Sequence, residues 1–133
     1  DTHGTETLKS RILPKALQME IILSYCLTEP GSGSDAAALK TKALRTNDGY
    51  ILTGTKAFIS GGGYSDAYIV MARTSDDGPK GISAMLIEDG AAGLTYGGLE
   101  DKMGWRSQPT RQVQMDDSMS PAYMLWGDVG LGF

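Results

Sequence analysis

The sequence predicts a mainly β fold, an antiparallel β-sandwich or barrel of about six to seven strands preceded by a short helical segment. Three observations carry this reading. Runs rich in β-branched and aromatic residues recur at hairpin-like spacing from Ser24 onward. Helical periodicity is confined to residues 4–23. The 18 glycines fall between the runs, as turn punctuation does, rather than in one low-complexity tract. At 133 residues, 41% of them hydrophobic, the chain suits one compact core.

Within residues 4–23, Leu8, Ile12, Leu13, Leu17 and Ile21 recur at three- and four-residue steps. Pro14 interrupts them and is expected to end one short helix and start another. A strand ending at Tyr25–Thr28 then runs into a glycine loop. "KTKALRT" (40–46) and "YILTGTKAFIS" (50–60) flank Asn47-Asp48-Gly49, a hairpin signal. "AYIVMART" (67–74) ends in the turn-rich "SDDGPKG" (75–81), and "ISAMLIE" (82–88) follows. The "DGAAG" turn (89–93), "LTYGGL" (94–99) and "RQVQMDD" (111–117) complete the set, with no internal repeat.

A formal net charge of -4 speaks against unaided binding of nucleic acid or an anionic membrane. No apolar run approaches the roughly 18 residues of a membrane span, and no signal-peptide pattern is visible. Cys26 is the one cysteine, so an internal disulfide is excluded and a reducing compartment is expected. The one histidine, His3, sits beside the N-terminus, which argues against a metal site of His and Cys. The chain begins at Asp1 without methionine and stops at "GLGF", so it is expected to be a piece of a longer polypeptide.

In "SYCLTEPGSGSDAAALK" (24–40), Gly31, Gly33 and Ala36 fit the letters of a G-x-G-x-x-A dinucleotide loop. The context fails, because a hairpin follows where a full helix and a parallel strand are required. Two readings stay open for Pro30–Asp35. Glycines and serine hydroxyls can form a nest for a phosphate, or the segment is a wide turn in which Ser34 or Asp35 caps a short helix at Ala36–Leu39. The two-residue period puts Phe58 and Ser60 on one face of their strand. A ring beside a hydroxyl suits a planar heterocycle; a core phenylalanine and a strand-end serine suit the same letters. Cys26, in an apolar segment without a histidine neighbour, reads as a buried thiol rather than a nucleophile. In "KMGWRSQPTRQV" (102–113), Arg106 and Arg111 are either phosphate partners or surface cations paired with the acidic surplus. Asp116-Asp117 reads as strand-end turn chemistry.

Taken together, "YCLTEPGSGSD", "TGTKAFISGG", "KMGWRSQPT", "DD…P" and the final "GLGF", in this order, resemble the middle domain of the acyl-CoA dehydrogenases, over nearly the whole chain. The branched-chain members look nearest. The resemblance implies residues 1–23 as the end of an N-terminal helical domain, 24–133 as the middle β-domain, and a C-terminal helical domain outside this chain. It implies FAD as cofactor and oxidation of a short or branched acyl-CoA to the 2,3-enoyl-CoA. The electrons would pass to an electron-transferring flavoprotein, within a homotetramer. The location would be the mitochondrial matrix in a eukaryote or the cytoplasm in a bacterium. Tyr25, Cys26, Leu27, Thr28, Gly33, Ser34, Phe58, Ile59 and Ser60 would face FAD, and Ser34 would also approach the substrate. Phe58 stands where tryptophan is frequent and Ser60 where threonine is, ring for ring and hydroxyl for hydroxyl. Glu29 would hold the loop, since the family's catalytic glutamate belongs to a domain outside this chain. No catalytic residue and no metal ligand is expected here. Trp126 departs from the usual aliphatic residue, with an effect on packing. Two other readings remain: an oxidase-like relative that passes electrons to oxygen, and a non-catalytic β-domain using its loops for protein contacts.

Overall fold

The structure is a computed structural model and describes residues 3–132; Asp1, Thr2 and Phe133, the two ends of the expected resemblance, lie outside the described residues. Helix α1 (Glu6–Leu17) starts at Thr5, whose hydroxyl accepts a hydrogen bond from the Leu8 N–H at 3.2 Å. Leu8 and Ile12, one turn apart, are its buried residues, and each such burial is worth about 1.5–3 kcal/mol. The expected break at Pro14 is absent, and α1 runs through it. Pro14 lies in the last turn on the exposed side, where it removes one amide donor from the ladder and the helix ends within the next turn. Past Ile12 the apolar face has nothing to cover, and Leu17 is 81% exposed. The helix stops there, with Met19 in the left-handed region.

Among the described residues eight strands follow: β1 (Leu23–Cys26), β2 (Lys42–Arg45), β3 (Gly49–Ser60), β4 (Ala67–Arg73), β5 (Ile82–Glu88), β6 (Leu94–Tyr96), β7 (Thr110–Pro121) and β8 (Leu125–Trp126). They form one sheet in the order β6-β7-β3-β2-β4-β5-β8, with β1 branching off to pair with β4. The mainly β class holds, and the β2–β3 hairpin turns at Thr46–Gly49 as its sequence signal requires. Two details differ from the antiparallel expectation. β1 pairs with β4 in parallel, and β2 touches β4 in parallel at Lys42–Arg73. β8, only two residues long, carries too little pattern to be read in advance. β7 also runs past Asp116-Asp117 to Pro121, so these carboxylates lie within a strand rather than at its end. Asp117 takes a positive φ and accepts a hydrogen bond from the Thr53 hydroxyl at 2.8 Å.

The inward faces of β1 to β7 converge on one core that includes Cys26, Leu52, Tyr68, Val70, Met85 and Val113. β4 and β5 are buried on both faces, which explains their near-continuous apolar runs. On their outer face Ala67 and Leu86 meet α1 through Leu8 and Ile12. Met71, Ile82 and Ala84 form a second cluster there with Leu39, and Trp126 packs against both clusters.

Candidate functional site

The segment from β1 into its loop lies beside the end of β3. The Ser24 hydroxyl donates to the Ser60 carbonyl at 2.5 Å, and the Ala57 N–H donates to the Thr28 carbonyl at 2.8 Å. On β1, Ser24 and Cys26 point inward while Tyr25 is 54% exposed. On β3, strict alternation from Leu52 would carry Phe58 into the core. A bulge between Lys56 and Ile59 prevents this. Lys56 and Ala57 are both buried in succession, and Phe58 is turned out, 67% exposed, with φ at 57°. A bulky residue held in the left-handed region is strained, and such strain concentrates at functional sites. Ile59 is buried again and Ser60 exposed. Phe58 is therefore not a core side chain, and the adjoining segments present Tyr25, Phe58 and Ser60 outward with Thr28 half-buried.

Beneath this edge is a buried ion pair that the sequence did not single out. Lys56 is fully buried and its ammonium lies 2.9 Å from Glu29 Oε1 and 3.1 Å from the Leu27 carbonyl. Glu29 also accepts the Lys40 N–H at 2.6 Å and the Thr41 N–H at 2.9 Å. Its own backbone exchanges two hydrogen bonds with Ser32. The carboxylate thus ties both ends of the glycine loop to β3. Burial pushes the Glu29 carboxyl up, but the hydrogen bonds from Thr41, Lys56 and Lys40 outweigh it and hold the carboxyl below its ordinary value. Burial lowers the Lys56 ammonium, and the contact with Glu29 opposes it. A carboxyl depressed on folding stabilises the fold above its unfolded value and loses that contribution as pH falls through the folded one. Urea midpoints are therefore expected to hold steady down to pH 5 and to fall below the ordinary carboxyl value of 4.5. Glu29→Gln should flatten that acid limb; an unchanged limb would remove Glu29 as its cause.

The loop itself is a turn. Neither Ser34 nor Asp35 caps the short 3-10 helix Ala36–Ala38; instead the Ser32 hydroxyl donates to the Asp35 carbonyl at 2.7 Å. Gly31 and Gly33 are exposed, take no left-handed conformation, and have open space where a Cβ would stand. Nothing within the chain demands glycine at either position, and a close approach from outside would. Ser34 is exposed beside them. Cys26 is fully buried and its thiol is pushed up to about 12 by burial, against a smaller opposing effect of Lys56. Its side chain is inert, and like Ile59 it reaches the edge only through backbone. In the 102–113 segment Trp105 is 85% exposed with a positive φ, and Arg106 pairs with exposed Asp101 at 3.4 Å. Arg111 lies over the Tyr64 ring and donates to the Gly97 carbonyl. Neither arginine joins the Tyr25–Phe58 edge through these contacts.

The edge fits an isoalloxazine in kind: an outward ring, the hydroxyls of Thr28 and Ser60, and a glycine loop with room for a close approach. It is an open face. A recess of about 650 Å³ lies elsewhere, against α1 and the β4–β5 end, lined by Arg11, Lys15, Asp66, Glu88 and Asp89. Among the described residues no group of three or more His, Cys, Asp or Glu is placed to hold a metal ion, and no helix is long and apolar enough to cross a membrane.

Comparison with known proteins covers the same stretch of chain. The profile of the family "Acyl-CoA dehydrogenase, middle domain" matches residues 24–118. A relative from Dictyostelium discoideum, "Isobutyryl-CoA dehydrogenase, mitochondrial", is 53% identical over the whole chain, which spans 32% of that relative. The butyryl-CoA dehydrogenase structure from Megasphaera elsdenii superposes with a TM-score of 0.95 at 41% identity, over 98% of this chain and 35% of that one. An FAD complex of PigA superposes with a TM-score of 0.94 at 33% identity, over 98% of this chain and 34% of that one. The chain spans about a third of the length of the relatives it matches.

Proposed function

Because the chain belongs to the acyl-CoA dehydrogenase family, as its middle domain, we propose that the Tyr25–Phe58 edge is the flavin-facing wall of an FAD-dependent acyl-CoA dehydrogenase. Residues 24–133 are then the middle β-domain, with residues 1–23 the end of a preceding helical domain and a further helical domain supplying the base. The bulge that turns Phe58 outward carries this reading, since it exposes a ring at a conformational cost that packing within the chain does not require. The substrate is a short or branched acyl-CoA, in keeping with the isobutyryl- and butyryl-CoA relatives. An electron-transferring flavoprotein takes the electrons, the enzyme is a homotetramer, and a eukaryotic source would place it in mitochondria.

FAD, when bound, supplies a hydride acceptor for the β-carbon of the acyl thioester. The chain's own residues prepare that surface. Phe58 offers an apolar platform. Thr28 and Ser60 offer hydroxyls whose direction is set by the backbone of β1 and β3, and Ser60 adds its N–H toward the ring edge where charge gathers. Backbone of Tyr25, Cys26, Leu27 and Ile59 lines the same edge. Gly33 leaves space for the pyrophosphate, with Ser34 between it and the thioester. Glu29 is consumed by Lys56 and two amides and serves as the loop's anchor rather than as a base.

In the flavin-loaded enzyme, Ser60→Ala is expected to slow flavin reduction by about 10- to 100-fold, the loss of one preorganised donor. Acyl-CoA binding should change far less. Stopped-flow bleaching of the oxidised flavin band measures the first, and substrate titration the second. Equal loss in both would remove Ser60 from its role, and a purified parent without flavin would overturn the reading.

A further inference from the structure

Three buried hydroxyls converge on the turn that follows Ser60. Ser24 is 6% exposed, Ser65 2% and Tyr68 fully buried. The Ser24 hydroxyl lies 2.5 Å from the Ser60 carbonyl oxygen and 2.7 Å from the Ser65 hydroxyl. A carbonyl only accepts, so the single Ser24 proton goes to Ser60, and Ser65 must donate to Ser24. The direction of the relay is fixed: Ser65 to Ser24 to the Ser60 carbonyl. On the other end of the same peptide unit, the Gly61 N–H donates to the Pro109 carbonyl at 2.8 Å. The peptide plane between Ser60 and Gly61 is therefore pinned at both its oxygen and its nitrogen. Gly61 has φ +81°, and a Cβ there would collide with the Ser24 and Ser65 hydroxyl oxygens, so only glycine leaves room for the pair. The Tyr68 hydroxyl accepts the Gly63 N–H at 2.9 Å and donates to the Gly61 carbonyl at 3.5 Å, holding the turn from the core side.

We infer that Ser24 and Ser65 are positioning residues that lock the Ser60–Gly61 peptide plane and thereby aim Ser60 at its ligand. The inference rests on the flavin reading above for the identity of that ligand. Pinning the plane fixes ψ of Ser60, and the bulge two residues earlier fixes the approach of the strand. Together they leave the Ser60 Cα–Cβ direction little freedom, which is what preorganisation of a donor demands. The device also joins three separated stretches, since Ser24 precedes the glycine loop, Ser60 ends β3, and Pro109 is the half-buried residue that leads into β7. The Pro109 contact gives the 102–113 segment a defined place at the site without requiring its arginines.

The test has two arms. In the 133-residue chain without flavin, Ser24→Ala and Ser65→Ala should each speed amide hydrogen exchange at Gly61 and Ser65 by about 5- to 10-fold, the loss of one buried hydrogen bond. Exchange in β5 should stay unchanged. In the flavin-loaded enzyme both variants should slow flavin reduction by roughly 10-fold or more with KM for acyl-CoA unaltered. The double variant should be no worse than Ser24→Ala, because the bond to the Ser60 carbonyl is already lost there, whereas Ser65→Ala removes only the contact that orients the Ser24 hydroxyl. Unchanged exchange at Gly61 and Ser65, or a flavin-bearing enzyme reduced at the wild-type rate by both variants, would overturn the clamp alone. A wild-type enzyme that carries no flavin would instead overturn the flavin reading, and the clamp's aim with it.

Discussion

Replacing Lys56 by methionine is expected to cost about 3–5 kcal/mol of folding stability, because it strands one partner of a buried ion pair. The ammonium is fully buried and holds Glu29 at 2.9 Å and the Leu27 carbonyl at 3.1 Å. Methionine matches its volume but leaves the Glu29 carboxylate 8% exposed with only amide donors. The cost is that of a buried charge stripped of its counter-ion, not of a weak surface pair. Urea denaturation followed by circular dichroism gives the number directly. Glu29→Gln should also destabilise. The double variant Glu29→Gln/Lys56→Met should lose clearly less than the two single losses added, because no charge is then stranded. A Lys56→Met midpoint within about 1 kcal/mol of wild type, or strict additivity, would show that the pair does not hold the loop.

The chain by itself, mixed with FAD and a short acyl-CoA, is expected to give no substrate-dependent dye reduction above the buffer background. The carboxylate nearest in sequence to the proposed site is Glu29, and its oxygens are taken by Lys56, Lys40 and Thr41. A depressed pKa and a full set of donors make it a poor acceptor for an α-proton. The wall is also open, so water would reach any acyl thioester lying on it, and proton abstraction beside a carbonyl needs a positioned base in a dry site. Clear turnover by the 133-residue chain would sink this expectation, and would locate a base within this chain. Circular dichroism on the same sample verifies that the chain is folded when the assay is run.

Much of the fold was legible because its signals are local. The Asn47-Asp48-Gly49 turn dictates the β2–β3 hairpin, and the apolar runs at 67–74 and 82–88 become β4 and β5. The parallel pairing of β1 with β4 was not legible, since it depends on where α1 packs rather than on any period in four residues. Pro14 misled for the opposite reason: a local rule was overridden because Leu8 and Ile12 anchor the helix upstream of it. At the site, Tyr25, Thr28, Phe58 and Ser60 could be marked from their motifs. The partners that hold them could not. Lys56 stands inside the quoted "KAFIS" run but looks like an ordinary solvated cation in sequence, and Ser24, Ser65 and Pro109 are brought to Ser60 only by tertiary contact. Lys56 stands between Thr55 and Ala57 on a strand of mixed burial, so its neighbours in sequence give no hint of an internal ion pair.

The sheet path ends at β6 and β8, strands of three and two residues. Such short margins offer an incoming chain almost no row of free amides and carbonyls to copy. Tyr25, Phe58, Met103 and Trp105 meanwhile stand bare. Crowded copies of this chain would therefore adhere through side chains rather than by backbone templating, giving amorphous, redissolving clumps in place of fibres. The same ring that suits a cofactor is then one of the chain's colloidal liabilities until something flat and apolar covers it.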